Sequence, residues 1–249
     1  MKKVIIAEKP SVAKNIADSF KIKTRRDGYF EGENHLITWA FGHLLQLLDA
    51  KDYDESMKSW KVDKFPFIPS EFKYKVKQDS MKRGEVDKGA LKQLNIIKSL
   101  IERNDVESVI SATDYDREGQ VISDELFIYL NVKKPIYRIL LNEWTENEVK
   151  KGMENLKLNS EMKALQDAGI GRQLADWIIG INLTSVATLR YGFEENKIIN
   201  IGRVLLPTLK IIYDRDKEIE NFKETSSYKY IQNFKTKEDS EFETIYDEE

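Results

Sequence analysis

The chain has 249 residues, 41% of them hydrophobic and 33% charged, enough to bury a sizeable core in one large or two modest domains. It has no cysteine and only two histidines, which excludes disulfides, thiolate zinc sites and a histidine-rich metal centre, so any metal must be held by oxygen. A net charge of −3 argues against coating nucleic acid by charge alone, and no apolar run of membrane-spanning length or signal-peptide core is present, so neither secretion nor membrane insertion is expected.

Lys2 to Ala7 is a short β-branched run ending at Glu8, after which Pro10 and Ser11 open a helix with apolar positions Val12, Ile16 and Phe20. A basic patch follows at Lys21, Lys23, Arg25 and Arg26, then YFEGENHLITWAF, which reads as a hairpin turning at Gly32 and Asn34. Residues 49–92 are polar and irregular, an excursion carrying a few short elements. Leu91 to Glu102 has helical spacing, Val106 to Ala112 reads as a second buried strand, Gln120 to Leu130 as a helix and Ile136 to Leu141 as another strand. The alternation predicts an α/β fold, a mostly parallel sheet flanked by helices. From Thr145 the pattern becomes helical, with Met162, Leu165, Leu174, Trp177, Ile178 and Ile181 at helical spacings, and a further helix spans Leu205 to Glu220. From Tyr228 the segments YKYIQNF and FETIY alternate as strands. The expected division is therefore 1–150, a mainly helical domain over 151–221, and the truncated start of a β-containing domain over 222–249.

Both candidate strands deliver carboxylates at their carboxyl ends, Glu8 from the first and Asp114 and Asp116 from the later one, which is where open α/β sheets hold ligands. Magnesium takes one or two carboxylates plus water and substrate phosphate. With 43 acidic residues, an acid-x-acid-x-acid triplet is expected about once by chance, so an acidic turn in solvent is the alternative reading of the bare motif. Other triplets begin at Asp214, Asp216 and Asp239; the first two fall in a predicted helix, where alternate side chains diverge. The triplet at Asp114 instead follows an apolar strand and precedes Gly119 and a helix N-terminus, a setting that favours anions.

Six segments, in order, resemble type IA DNA topoisomerases of the topoisomerase III kind: IIAEKPSVAKNIA, TWAFGHLLQL, SATDYDREGQ, RILLNEWT, GRQLADWIIGINLT and IGRVLLPTLKIIYDRDKEIENF. The first three are similar to the Toprim domain of that family. The resemblance implies that Glu8, Asp114 and Asp116 bind Mg2+, with Glu118 a ligand or an acid close behind, and that Lys9 sits beside the scissile phosphate. Lysine there can stabilise charge on the phosphate while Glu8 shuttles a proton to the leaving 3′ oxygen. Arg172 and Asp176 stand at i and i+4 and can pair; by resemblance Arg172 positions the DNA backbone, and Arg203 is a further contact. The implied partner is single-stranded DNA, with a helicase as a further protein partner, in a cytoplasmic, monomeric protein without membrane contact. His43, after a glycine, and the tryptophans at 39 and 177 are read as structural.

Two departures from the family pattern stand out. Where R-V-Q-T-P is usual, this chain has Arg203, Val204, Leu205, Leu206 and Pro207, and the nucleophilic tyrosine, in a Y-x-R-T context, is expected beyond residue 249. Tyr213 comes nearest among the 11 tyrosines but falls in a predicted helix and is not assigned. The chain alone is thus expected not to cleave DNA. Two rival readings use the same residues: a stand-alone Toprim nuclease, and a non-catalytic single-stranded DNA-binding module.

Overall fold

A computed structural model describes the chain except residues 83, 142, 193–196, 227, 239–240 and 248–249; Asn142 of the fourth segment and Asp239 of the last acidic triplet therefore lie outside the described residues. In chain order the elements are β1 (Lys2–Ala7), α1 (Pro10–Ser19), β2 (Arg25–Arg26), β3 (Tyr29–Glu31), β4 (His35–Trp39), β5 (Leu45–Leu47), α2 (Ala50–Tyr53), β6 (Tyr74–Val76) and α3 (Lys88–Ile101). They continue with β7 (Val106–Ala112), α4 (Arg117–Tyr129), β8 (Ile136–Arg138), α5 (Glu146–Glu154), β9 (Lys157–Leu158), α6 (Lys163–Tyr191), α7 (Leu205–Glu220), β10 (Lys229–Lys235) and β11 (Glu241–Asp247). Residues 1–203 and 204–249 are two compact units.

The first unit is built on a sheet of order β2-β3-β4-β1-β7-β8-β9. Its centre is parallel, β4 and β7 flanking β1 and β8 following β7, while β2, β3 and β9 run antiparallel at the edges. Alternation along β1 sends Val4 and Ile6 to one face, against Leu94 and Ile97 of α3 and Ile122 and Leu126 of α4. Ile5 and Ala7 face the other way, against Ala13 and Ile16 of α1 and Val149 of α5. Each buried valine, leucine or isoleucine among them stabilises the fold by roughly 1.5–3 kcal/mol, which favours such apolar runs as central strands covered on both faces.

The expected strand over Ile136 to Leu141 is shorter, ending at Arg138 in register with Ser111, and its last link to β7 is the Ile139 N–H donating to the Ser111 carbonyl at 3.0 Å. Ile139 and Leu141 remain buried. The helix expected from Gln120 begins at Arg117, since the Asp116 carboxylate accepts from the Gly119 N–H at 2.7 Å and caps the earlier turn. The excursion after residue 48 is anchored on α6: the Trp177 indole N–H donates to the Leu48 carbonyl at 2.9 Å, and its ring meets Tyr53, Phe67 and Phe72. The Asn182 amide accepts from the Phe67 N–H at 2.5 Å and donates to the Phe67 carbonyl at 2.9 Å. Trp39 is buried among Phe30 and its neighbours.

The second unit holds α7 and the antiparallel hairpin β10–β11, in which Phe234 stacks on Phe242. In α7 three of the four acidic residues pair along their own helix, Asp214 with Lys210 at 2.7 Å, Glu218 with Arg215 at 3.0 Å and Glu220 with Lys217 at 2.5 Å. These are exposed pairs of small energetic weight. Among the described residues no helix is long and apolar enough to cross a membrane.

Candidate active site

The carboxyl ends of the parallel strands β1, β4, β7 and β8 share one rim, and the chain leaves β1 and β7 through polar residues, Glu8 and Thr113. Glu8 follows β1 and is only 8% exposed. Its Oε2 accepts from the Asp114 N–H at 3.2 Å, joining residues 106 apart in sequence. Lys9 Nζ lies 3.1 Å from Glu8 Oε1 and 3.7 Å from Asp114 Oδ2, so one ammonium bridges both carboxylates. Its pKa is raised, first by its hydrogen bond to Glu8 and then by the charges of Glu8 and Asp114. Lys9 is extended and precedes Pro10, which starts α1 where a missing N–H costs nothing.

Asp116 is engaged with the N-terminus of α4 through Oδ1. Gly119 is required there: a Cβ would lie 2.9 Å from the backbone N and C of Asp114. Glu118 turns toward β4's exit. His43 Nε2 is 2.9 Å from Glu118 Oε1, and His43 Nδ1 is 3.0 Å from Glu125 Oε1. Burial disfavours the charged imidazole, but the two carboxylates outweigh it and hold His43 at about 9. Burial pushes Glu125 up, and His43 opposes it. His43 sits after Phe41 and Gly42, both at positive φ, a turn that aims the ring back across the rim.

The structure thus brings Glu8, Lys9 and Asp114 together, gives Asp116 to a helix cap and Glu118 to His43. Among the described residues, no three acidic or histidine side chains converge closely enough to hold an ion alone. A hard divalent cation fits nonetheless: the donors are all oxygen, a magnesium ion needs only one or two carboxylates with water and phosphate, and the Lys9 ammonium already bridges the Glu8–Asp114 pair as a cation.

Beneath the rim Arg138 is wholly buried, which pulls its guanidinium down to about 10 against the charges of Asp124, Asp114, Asp116 and Glu8. Along α6, Asp176 bridges two arginines, Arg203 Nε at 2.5 Å and Arg172 Nε at 3.7 Å. A cleft of about 210 Å³ lined by His43, Glu118, Gly169, Arg172 and Asp176 joins this helix to the rim. Gly169 permits the approach, since a Cβ there would lie 2.9 Å from the Arg117 carbonyl of α4.

Comparison with known proteins is consistent with this order of elements. The Toprim domain family matches residues 3–144, and a DNA topoisomerase family matches residues 160–249. The chain belongs to the type IA DNA topoisomerase family. Within that family it is 38% identical over 223 residues to DNA topoisomerase 3 of Staphylococcus aureus (strain USA300), covering 90% of this chain and 29% of that protein. DNA topoisomerase 3 of Staphylococcus haemolyticus is 37% identical over 228 residues, covering 92% of this chain and 30% of its own. The chain spans less than a third of the length of these topoisomerases. The fold is shared with full-length topoisomerase I from Thermotoga maritima, at a TM-score of 0.57 and 23% identity over 92% of this chain and 32% of that one.

His43, Glu125 and Arg138 were not singled out as site residues by sequence reasoning. His43 falls in the TWAFGHLLQL segment and Arg138 opens RILLNEWT, but local spacing gives neither a chemical role and does not mark Glu125.

Proposed function

We propose that this chain forms the metal-bearing and DNA-positioning part of a topoisomerase that cleaves and rejoins single-stranded DNA with Mg2+. The observation that carries the reading is the meeting of Glu8, Lys9 and Asp114 at the carboxyl rim of a parallel sheet. In the reaction a tyrosine oxygen, supplied from outside these residues, attacks the phosphorus; the bond to the 3′ oxygen breaks, and a 5′-phosphotyrosyl bond forms. Bound Mg2+ supplies charge neutralisation at the phosphate. Lys9 is placed to meet charge developing on the phosphate, and Glu8 to hand a proton to the departing 3′ oxygen. Glu8, Asp114 and Asp116 are the proposed ligands, and Glu118, held by His43, is an acid close behind them. Arg172 and Arg203, paired through Asp176, are the proposed backbone contacts within a helical DNA-binding region over 151–221. The reading takes the protein as a cytoplasmic monomer acting on single-stranded DNA, with a helicase as the class of partner that would supply single strands.

Isothermal titration of the 249-residue chain with Mg2+, beside a supercoil-relaxation assay, tests the reading. Uptake of Mg2+ that Asp114→Asn abolishes, without relaxation or nicking, is expected. Magnesium-dependent nicking would point instead to a stand-alone nuclease, and single-strand binding indifferent to both Mg2+ and Asp114→Asn to a non-catalytic module.

A further inference from the structure

The acidic rim rests on a buried cation to which the reaction above gives no task. Arg138 ends β8 opposite Ser111 and is wholly removed from solvent. Its Nη1 donates to Ser111 Oγ at 2.8 Å and to Thr113 Oγ1 at 2.6 Å, and its Nη2 donates to the Asp114 carbonyl at 2.6 Å. Thr113 Oγ1 in turn donates to the Gly119 carbonyl at 2.6 Å. One guanidinium therefore grips the start of the turn directly and its end through Thr113.

Stability alone gives little reason for an arginine here. Burying a charge is costly, an apolar side chain of similar volume is often as good, and the Nε of Arg138 is left without a partner among the described residues. A planar fork of donors is, however, well suited to fixing a turn that must not rotate. We propose that Arg138 is a positioning residue for the divalent-cation site, fixing through the Asp114 carbonyl the direction in which the Asp114 carboxylate is presented beside Glu8. This rests on the reading of Glu8 and Asp114 as ion ligands. It deepens that reading by assigning the choice of ion: Mg2+ demands near-ideal octahedral geometry whereas Ca2+ accepts a loose one, so a pinned turn selects Mg2+.

The test is isothermal titration of the 249-residue chain with Mg2+ and, separately, Ca2+, comparing the unaltered protein with Arg138→Lys, Ser111→Ala and Asp114→Asn, with circular dichroism melts in the absence of ions. Arg138→Lys keeps the charge but cannot reach three acceptors at once. Its Mg2+ affinity is expected to fall about tenfold, the low end for loss of a group that orients a ligand, while Ca2+ affinity changes by less than about twofold. Ser111→Ala removes one of the three acceptors and is expected to weaken Mg2+ about threefold with the same selectivity. Unchanged Mg2+ affinity in folded Arg138→Lys, or equal losses for both ions, overturns the inference. If Arg138→Lys fails to fold, an unchanged ratio of Mg2+ to Ca2+ affinity in Ser111→Ala overturns it. Uptake lost in Asp114→Asn but unmoved in Arg138→Lys defeats this inference alone, whereas no uptake by the unaltered chain defeats the ion site itself and the inference with it.

Discussion

His43 Nδ1 lies 3.0 Å from Glu125 Oε1, and the Glu125 side chain has no exposure to solvent. The imidazole therefore neutralises a carboxylate that water cannot reach, while its other nitrogen holds Glu118 at the rim. Removing one partner of a buried pair leaves the other charge uncompensated. His43→Ala is expected to destabilise the first unit by about 3 kcal/mol, the low end for buried pairs because His43 is itself 29% exposed. Urea denaturation checks this, and His43→Ala combined with Glu125→Gln should recover part of the loss, since an amide tolerates burial better than an unpaired carboxylate.

Gly119→Ala should be more damaging than a glycine-to-alanine change in a helix usually is. A Cβ at this position would collide with the Asp114 backbone, and the shift needed to relieve it would move the turn carrying both Asp114 and the Asp116 cap. A loss of about 2–3 kcal/mol is expected in a thermal melt, with Mg2+ uptake impaired as well. Normal uptake in this variant would show that the turn does not need its present shape.

His35 gives the fold a pH dependence away from the rim. Stacked on Phe20 with ring centroids 4.5 Å apart, it is held neutral by burial and secondarily by the nearby charge of Lys3, so its pKa is lowered. A lowered folded-state pKa means stability that is fully present above the unfolded value of about 6.5 and is lost as pH falls through the folded value. His35→Phe, which keeps a ring against Phe20, should flatten the decline in urea midpoint below about pH 6.5. A decline as steep as in the unaltered protein would mean that other groups carry it.

The parts of this structure that were legible in the sequence are those where one strand's chemistry is written locally. Val4 to Ala7 is a continuous apolar run and Val109 to Ala112 one broken only by the buried Ser111, because both faces are covered, and each leads into the acids of the rim. What local patterns do not contain is pairing across long separations. His43 meets carboxylates 75 and 82 residues away, and Arg138 reaches Asp114 across 24. The excursion after residue 48 looked irregular because its order comes from Trp177 and Asn182, far along the chain. The apolar runs put Glu8 and the Asp114 turn at strand carboxyl ends, and the adjacency of β1 and β7, the cap that engages Asp116 and the histidine that engages Glu118 come only from the fold.

The Asp176 carboxylate neutralises part of the positive charge of Arg172 and Arg203, the proposed nucleic-acid contacts. It accepts from Arg203 at 2.5 Å and pairs with Arg172 at 3.7 Å, and these partners, Arg203 first, lower its pKa. With roughly two-fifths of each side chain exposed, the triad contributes little to stability, so changes here should read out in binding. Asp176→Asn removes one negative charge and releases both guanidinium groups. Fluorescence anisotropy with a labelled single-stranded oligonucleotide at low salt should show tighter binding than in the unaltered chain. Arg172→Ala should weaken binding and reduce the slope of log affinity against log salt by about 0.7, the release expected for one phosphate contact on a single strand. If Arg172→Ala leaves the slope unchanged, the arginine pairs with Asp176 without touching the backbone. If Asp176→Asn weakens binding instead, the carboxylate orients the arginines toward the phosphates more than it neutralises them.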